Sequence, residues 1–358
     1  MTPPSAAVVT SFYVTVKYLR EVTPYFRKAS IISEVGWELQ RGFLTGAPPS
    51  PHSPQRADTR YLPLQLCYLA RNFRHPDPDN RTLELHSPDG VHSCVLRATD
   101  ATEAVAWFNT LHSALNVLNG QALQEASRAL GPLVGDLQHI GWLARRPPSE
   151  NGRMSSESSE DPERWQSVFA AVTDRELRLY ESAPWSPEAW GCPVDTCPLL
   201  STRLVSSSRH TDIITFSVRC GTSEGVMTHH FRAETHRDLA NWARTLVQGS
   251  HNSAQNQREL VCRCIWQGQP AQLVVHYENG FTLLEGSNTM SGREPRTLWK
   301  FPFERLRMSA DDGARLLWLD FGGEEGEMEL DLECCPKPLV FILHNFLSAK
   351  IHRLGLFA

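Results

Sequence analysis

The sequence predicts an α+β, mainly β, fold: tandem small barrels, each closed by a C-terminal helix, with linkers between them. Two observations predict it. A strand that ends in Arg-Ala and leads to a Trp ten residues after the Arg occurs twice, as Leu96-Arg97-Ala98 before Trp107 and as Phe231-Arg232-Ala233 before Trp242. In both copies a helix start is spaced as a capping box, Asp100 with Glu103 and Thr235 with Asp238, each cap seven residues before its Trp.

A helix that starts at such a cap and buries its Trp against the strands before it is how a pleckstrin-homology (PH)-like barrel closes. Taken in order, residues 12–20 (Phe-Tyr-Val-Thr-Val-Lys-Tyr-Leu-Arg) read as one strand, with no partner nearby in the sequence. Residues 23–56 are a Pro/Ser/Gly-rich linker in which Ser50 and Ser53 each precede a Pro, the pattern of a phosphorylation site or of plain linker composition. Strand signals resume at Leu62–Leu69. Arg81–Leu85 and Ser93–Arg97 then flank the turn Ser87-Pro88-Asp89-Gly90. The helix after Asp100 carries apolar residues at 104, 108, 111, 115 and 118, one face at helical spacing. With three strands and a helix, residues 57–120 amount to the second half of a barrel, whose apolar face is expected to be left uncovered, and 121–136 are read as a linker.

Residues 137–255 read as an intact copy. It opens at Ile140-Gly141-Trp142-Leu143, passes a Ser/Glu/Pro-rich loop over 144–164, and continues through strands to the Trp242 helix. Residues 256–301 and 302–358 together form a third variation. Glu278-Asn279-Gly280 is strong hairpin chemistry, and a helix after Pro336 has Leu339, Ile342, Leu343, Phe346, Leu347 and Leu354 as its apolar face. Trp107, Trp142 and Trp242 are the signature residues of this reading.

Composition narrows the function. A net charge of −5 without a basic run argues against nucleic acid as a partner. The nine Cys are odd in number and contain no C-x-x-C, and no signal-peptide pattern precedes them, so they read as reduced thiols. Cys262-x-Cys264 and Cys334-Cys335 have no second ligand pair at zinc spacing, and no metal or cofactor is expected. Gly221-Thr222-Ser223-Glu224-Gly225 matches a nucleophile elbow by letters, but it joins two strands where the elbow needs a strand-to-helix turn. Asp320-Phe321-Gly322 likewise has no accompanying catalytic loop. An enzyme is not expected.

Two binding surfaces are candidates. Arg145, Arg146 and Arg164 stand where a PH-like barrel grips a phosphoinositide headgroup, but Glu150, Glu157, Glu160, Asp161 and Glu163 between them oppose an anion. The terminal helix offers Lys337, Lys350, Ile351, His352, Arg353 and Leu354, basic residues beside an apolar stripe, as a partner contact.

The chain resembles the C-terminal part of a syntrophin. The residues that carry the resemblance include Thr202-Arg203-Leu204-Val205, Leu246-Val247-Gln248-Gly249, His276-Tyr277-Glu278-Asn279-Gly280-Phe281, Met308-Ser309-Ala310-Asp311-Asp312-Gly313, Leu319–Gly323 and Phe346–Lys350. The resemblance runs from about residue 8 to the end. It implies a non-enzymatic cytoplasmic adaptor on the inner face of the plasma membrane and at cell junctions. Such an adaptor docks on dystrophin, utrophin or dystrobrevin through residues 137–255 and 302–358, and is associated with calmodulin through 337–358 and with the actin cytoskeleton. Phe12–Arg20 resembles the last strand of a PDZ domain, standing alone over residues 1–22, so PDZ ligands are not expected for this chain.

Overall fold

The computed structural model describes residues 13–17, 59–147, 165–205, 209–210, 213–286, 295–323 and 326–355. The Ser/Pro linker with Ser50 and Ser53, most of the 144–164 loop and Arg164 lie outside these residues. The chain divides into two compact units, Met1–Ala171 with Leu179–Val194, and Val172–Arg178 with Asp195–Ala358.

In the first unit, β1 (Tyr13–Lys17) pairs antiparallel with β2 (Thr59–Pro63), in register from Tyr13 opposite Pro63 to Lys17 opposite Thr59. The strand expected to stand alone therefore has a partner, supplied from the far side of the linker. An extended backbone otherwise presents a row of open N–H and C=O groups. The expected strand over Leu62–Leu69 is broken at Leu66, whose φ of 59° is left-handed. After the break come β3 (Tyr68–Ala70), β4 (Thr82–His86) and β5 (Ser93–Arg97), a three-stranded antiparallel sheet. The β4–β5 turn closes with Gly90 N donating to Ser87 O at 2.9 Å, and φ of 72° at Gly90 requires a residue free of Cβ strain.

Helix α1 (Ala101–Val134) starts at Asp100, whose carboxylate accepts from Glu103 N, while Glu103 reaches back to Thr99 N. Its buried face is Ala104, Phe108, Leu111, Leu115 and Leu118, the face that periodicity predicts. The helix then continues for four turns through 121–134, which corrects the linker reading. Gln121 to Leu130 is rich in strong helix formers, and Ala122, Leu130 and Val134 extend the apolar face onto a second core with Leu137, Ile140, Phe169, Ala171 and Trp190.

Nor is the half-barrel uncovered. One face of its sheet packs Leu69, Leu83 and Leu85 against Phe108, Leu111 and Leu115 of α1. The other places Tyr68, Ala70 and Phe73 on Ala144, with Trp142 beside them. Residues Ala144 and Trp142 belong to β6 (His139–Arg145). Trp142 donates its Nε1–H to the carbonyl of Leu66 at 2.6 Å and stacks on Tyr68, and Asn119 Oδ1 accepts from Leu66 N at 3.2 Å, so the left-handed residue is held from both sides. The first unit also holds most of β7 (Gln166–Val172), the end of β8 (Glu176–Tyr180) and the short α2 (Pro187–Trp190).

A fully buried carboxylate organises the loop between β3 and β4. Glu84 accepts from the backbone N–H of Phe73, Arg74 and His75 at 2.8–3.0 Å and from His86 at 3.3 Å. Burial alone would raise its pKa, but the hydrogen bonds from His86 and the three amides outweigh it and hold the carboxyl at about 2.

In the second unit, β9 (Asp195–Pro198) leads through a 3-10 turn at Leu199–Ser201 to β10 (Thr202–Val205). Next come β11 (Arg209–His210), β12 (Ile213–Thr222) and β13 (Gly225–Ala233), with β10 and β13 on either side of β12. Helix α3 (His236–Gln257) is capped by Thr235 and buries Trp242 and Leu246.

The terminal module follows: β14 (Glu259–Trp266), β15 (Gln269–His276), β16 (Gly280–Glu285), β17 (Thr297–Phe301), β18 (Met308–Asp311), β19 (Leu316–Asp320), β20 (Glu327–Asp331) and α4 (Lys337–Arg353). Its sheet order is β17-β16-β15-β14-β20-β19-β18. Counted within the module, that is strands four-three-two-one-seven-six-five, an antiparallel meander curled until its first and last strands meet, with Ile265 opposite Asp331. Phe281, Phe301, Phe303, Phe321 and Phe346 fill it. In each of the three regions, three antiparallel strands precede a helix: β3-β4-β5 before α1, β10-β12-β13 before α3, and β18-β19-β20 before α4.

The two signature tryptophans of the repeat have different fates. Trp242 is 3% exposed and Trp107 is 40% exposed. The expectation that Trp107 is buried is corrected: Phe108 takes the inward position, and Trp107 lies on the outer side, hydrogen-bonded to Glu103 one turn earlier.

Candidate partner-binding surface

Helix α4 is the centre of the candidate surface. Pro336 at its N-cap and Pro338 within its first turn suit a helix start, because the N–H that proline lacks has no intrahelical acceptor there. Leu339, Ile342, Leu343 and Phe346 face the terminal barrel and close it. The opposite side is polar and packs on the second module.

There Asn345, 4% exposed, directs its Nδ2 at three main-chain carbonyls, Leu199 at 3.3 Å, Leu200 at 2.7 Å and Thr202 at 3.0 Å. Arg203 donates to His344 Nδ1 at 3.0 Å, and Ser348 meets His251 Nε2 of α3 at 3.0 Å. Approach is close: a Cβ on Gly221 would lie 2.5 Å from the carbonyl oxygen of Lys337. That contact accounts for the first glycine of the elbow-like Gly221–Gly225 motif. Ser223 itself sits in the β12–β13 hairpin turn, where Thr222 pairs with Gly225. One helix thus closes one module with its apolar side and fastens a second with its polar side.

The proposed contact residues on α4 fall into two groups. The cations are committed to the fold. Lys337 pairs with Asp311 at 2.8 Å, Lys350 donates to the carbonyl of Tyr277 at 2.9 Å and lies over the rings of Tyr277 and Phe303, and Arg353 makes a two-pronged pair with Glu278. That pair holds the Glu278 carboxyl below its usual range. His352 is exposed, with its ring 5.0 Å from that of His251. Ile351 and Leu354, by contrast, point outward, Leu354 with 66% exposure, so it leaves the apolar face on which periodicity placed it. It is the C-cap residue, beyond the last turn that touches the barrel.

Of the candidate lipid contacts, Arg145 is half-buried at the end of β6. Arg146 is exposed, with its guanidinium 5.4 Å from the centre of the Trp165 ring. The structure brings these two together on one strand end. Periodicity missed Asn345: a lone Asn between Leu343 and Phe346 looks like a helix imperfection, and only the carbonyls opposite give it a purpose. Among the described residues no group of three or more His, Cys, Asp or Glu side chains could hold a metal ion, and no helix is long and apolar enough to cross a membrane.

Barrels of this strand order, each closed by a C-terminal helix, define a protein built of PH-like modules. Two family models match where that geometry is found: a syntrophin C-terminal PH domain over residues 255–356 and a PH domain over residues 55–113. The chain is 42% identical to human beta-2-syntrophin over 95% of its length and 64% of that protein's, and 42% identical to the mouse protein. It is 38% identical to syntrophin-1 of Caenorhabditis elegans over 85% of its length and 67% of that protein's. The chain belongs to the syntrophin family and is similar to the beta-2 type, spanning about two thirds of the length of these relatives.

Proposed function

We propose that the chain is a non-enzymatic adaptor that docks, through the second PH-like module and the terminal module acting together, on the C-terminal region of dystrophin, utrophin or dystrobrevin. In this reading it works at the cytoplasmic face of the plasma membrane and joins membrane proteins to the cytoskeleton. One observation carries the proposal: α4 is shared between the two modules, so residues of both contribute to one continuous surface. Family membership supports the class of partner. Exposed Ile351 and Leu354, at the end of the shared helix, are the apolar anchors such a partner would cover.

Deleting 302–358 is a poor test, because it would leave the carbonyls of Leu199, Leu200 and Thr202 without Asn345 and open the terminal barrel. The sharper experiment is calorimetric titration of the intact chain with a dystrobrevin C-terminal segment, beside a chain carrying Ile351→Asp and Leu354→Asp. Binding by the first and about a tenfold loss in the second are expected, in line with apolar anchors at other interfaces. No binding by the intact chain would sink the proposal.

A further inference from the structure

The contact between α4 and the second module is written largely in histidine. His251 of α3 is 5% exposed, and its Nδ1 is buried with no hydrogen-bond partner. Its Nε2 meets the Ser348 hydroxyl, and its ring lies 5.0 Å from that of His352, centre to centre. One turn of α4 earlier, His344 accepts from Arg203 through Nδ1. A guanidinium can only donate, so that nitrogen must keep its lone pair and the ring must be neutral.

The charges around these rings are of one sign. His251 faces His352, and His344 faces Arg203 of β10. On the other side of α4, Lys350 and Arg353 are engaged with Tyr277 and Glu278, and Lys337 with Asp311. Among the described residues no carboxylate stands within salt-bridge distance of any of the three rings. A proton added to His251 would be buried beside a second imidazole, and one added to His344 would break its bond to Arg203 and oppose the guanidinium.

We propose that His251 and His344 make the α4 contact with α3 and β10 an acid-released seam, closed while both rings are neutral and loosened by their protonation. The titration directions agree. Burial first, then His352, lowers the pKa of His251, and burial first, then Arg203, lowers that of His344, both from the ordinary 6.5. For a group whose pKa is depressed by folding, the stability it contributes is complete above its unfolded value and is lost as pH falls through the folded value. The seam therefore weakens in mildly acidic solution, before the Glu278 carboxyl of the Arg353 pair, held below its usual range, titrates. Asn345 carries no titrating group and keeps the helix tethered.

The test is hydrogen exchange read by mass spectrometry on the full chain, from about pH 7.5 to about pH 5.5 and corrected for intrinsic rate, beside a chain with His251→Asn, His344→Gln and His352→Gln. In the unaltered chain, protection over 199–205 and 337–353 is expected to fall about tenfold, while protection over 68–118 holds. In the triple variant the acid-dependent fall should be absent. Equal protection at both pH values in the unaltered chain would overturn the proposal, and so would the same fall in the variant. If the triple variant does not fold, His352→Gln alone decides: without the second imidazole the His251 pKa is depressed less, so the acid-dependent fall should shrink, and an unchanged fall rejects the seam.

Discussion

Helices α1 and α3 begin from the same twelve-residue pattern and end in different places. In both, the Trp is the seventh residue after the N-cap. In α3 the buried positions start with that seventh residue and the eleventh, Trp242 and Leu246, and go on through Gly249, Ser250, His251 and Ala254. In α1 they are the fourth, eighth and eleventh, Ala104, Phe108 and Leu111. The eleventh position is inward in both, so the two helices are rolled relative to their sheets by less than the roughly 100° of one residue, enough to put the seventh residue inward in α3 and the eighth in α1. The difference teaches that a shared cap and spacing fix where a helix starts but not which face it buries. The face of α1 is set by the whole run from Ala104 to Val134, which serves first a three-stranded sheet and then a second core. The face of α3 is set by a shorter helix.

That contrast can be broken by substitution. The largest effects should come from the residues that hold the inward position. Trp242→Ala and Phe108→Ala should each cost about 3–5 kcal/mol in urea unfolding, whereas Trp107→Ala should cost no more than about 1 kcal/mol. Equal losses at Trp107 and Trp242 would mean that the two helices are not rolled.

Next comes Asn345→Leu, similar in volume but unable to donate. Asn345 is the only donor to the Leu200 carbonyl among the described residues, whereas the Leu199 carbonyl also accepts from Thr202 N and that of Thr202 from Ser250 Oγ. Losing the Asn345 bonds should cost about 2 kcal/mol, and exchange at 199–205 should rise with it. If those amides keep their protection, α4 does not fasten the second module.

Glu84→Gln should cost about 2 kcal/mol, because a neutral amide accepts the three backbone N–H bonds less strongly and brings two donors into a buried site. Since folding depresses the Glu84 pKa from 4.5 to about 2, the carboxylate's contribution is complete above about pH 4.5 and fades as pH falls towards 2. Acid unfolding of the first unit should lose its Glu84-dependent part in that window, and a variant with an unchanged acid limb would contradict this.

The smallest expected effect is at the caps. Thr235→Ala and Asp100→Ala should each lose about 1 kcal/mol, since both side chains accept from a first-turn N–H in the same way. Unlike the Trp pair, these two should match.

Local chemistry was the legible part of this chain. The caps at Asp100 and Thr235, the turn at Ser87–Gly90, the hairpin at Glu278-Asn279-Gly280 and the face of α1 down to Leu118 all depend on residues within a few positions of one another. Strand β14 went unread although Leu260, Cys262, Cys264 and Trp266 alternate, because Arg263 and two cysteines dilute the apolar signal. The extension of α1 past residue 120 was hidden for a similar reason: its Ala/Gln/Ser-rich face shows its purpose only against Phe169 and Trp190. For the candidate surface, sequence marked the helix and its cations but not their employment. Lys337, Lys350 and Arg353 resembled free contacts until Asp311, Tyr277 and Glu278 stood opposite them.

By itself, then, the sequence determined the strand-then-helix closures, their caps and turns, and the family, because each rests on short-range periodicity or on residue strings that survive without any fold. Tertiary structure alone decided which side of each helix is buried, that β1 finds β2 across the linker, and that α4 serves two modules at once. Those outcomes depend on groups far apart in the chain. A buried carbonyl at Leu200 and an amide at Asn345 each need a partner, and only folding brings the two within hydrogen-bond reach.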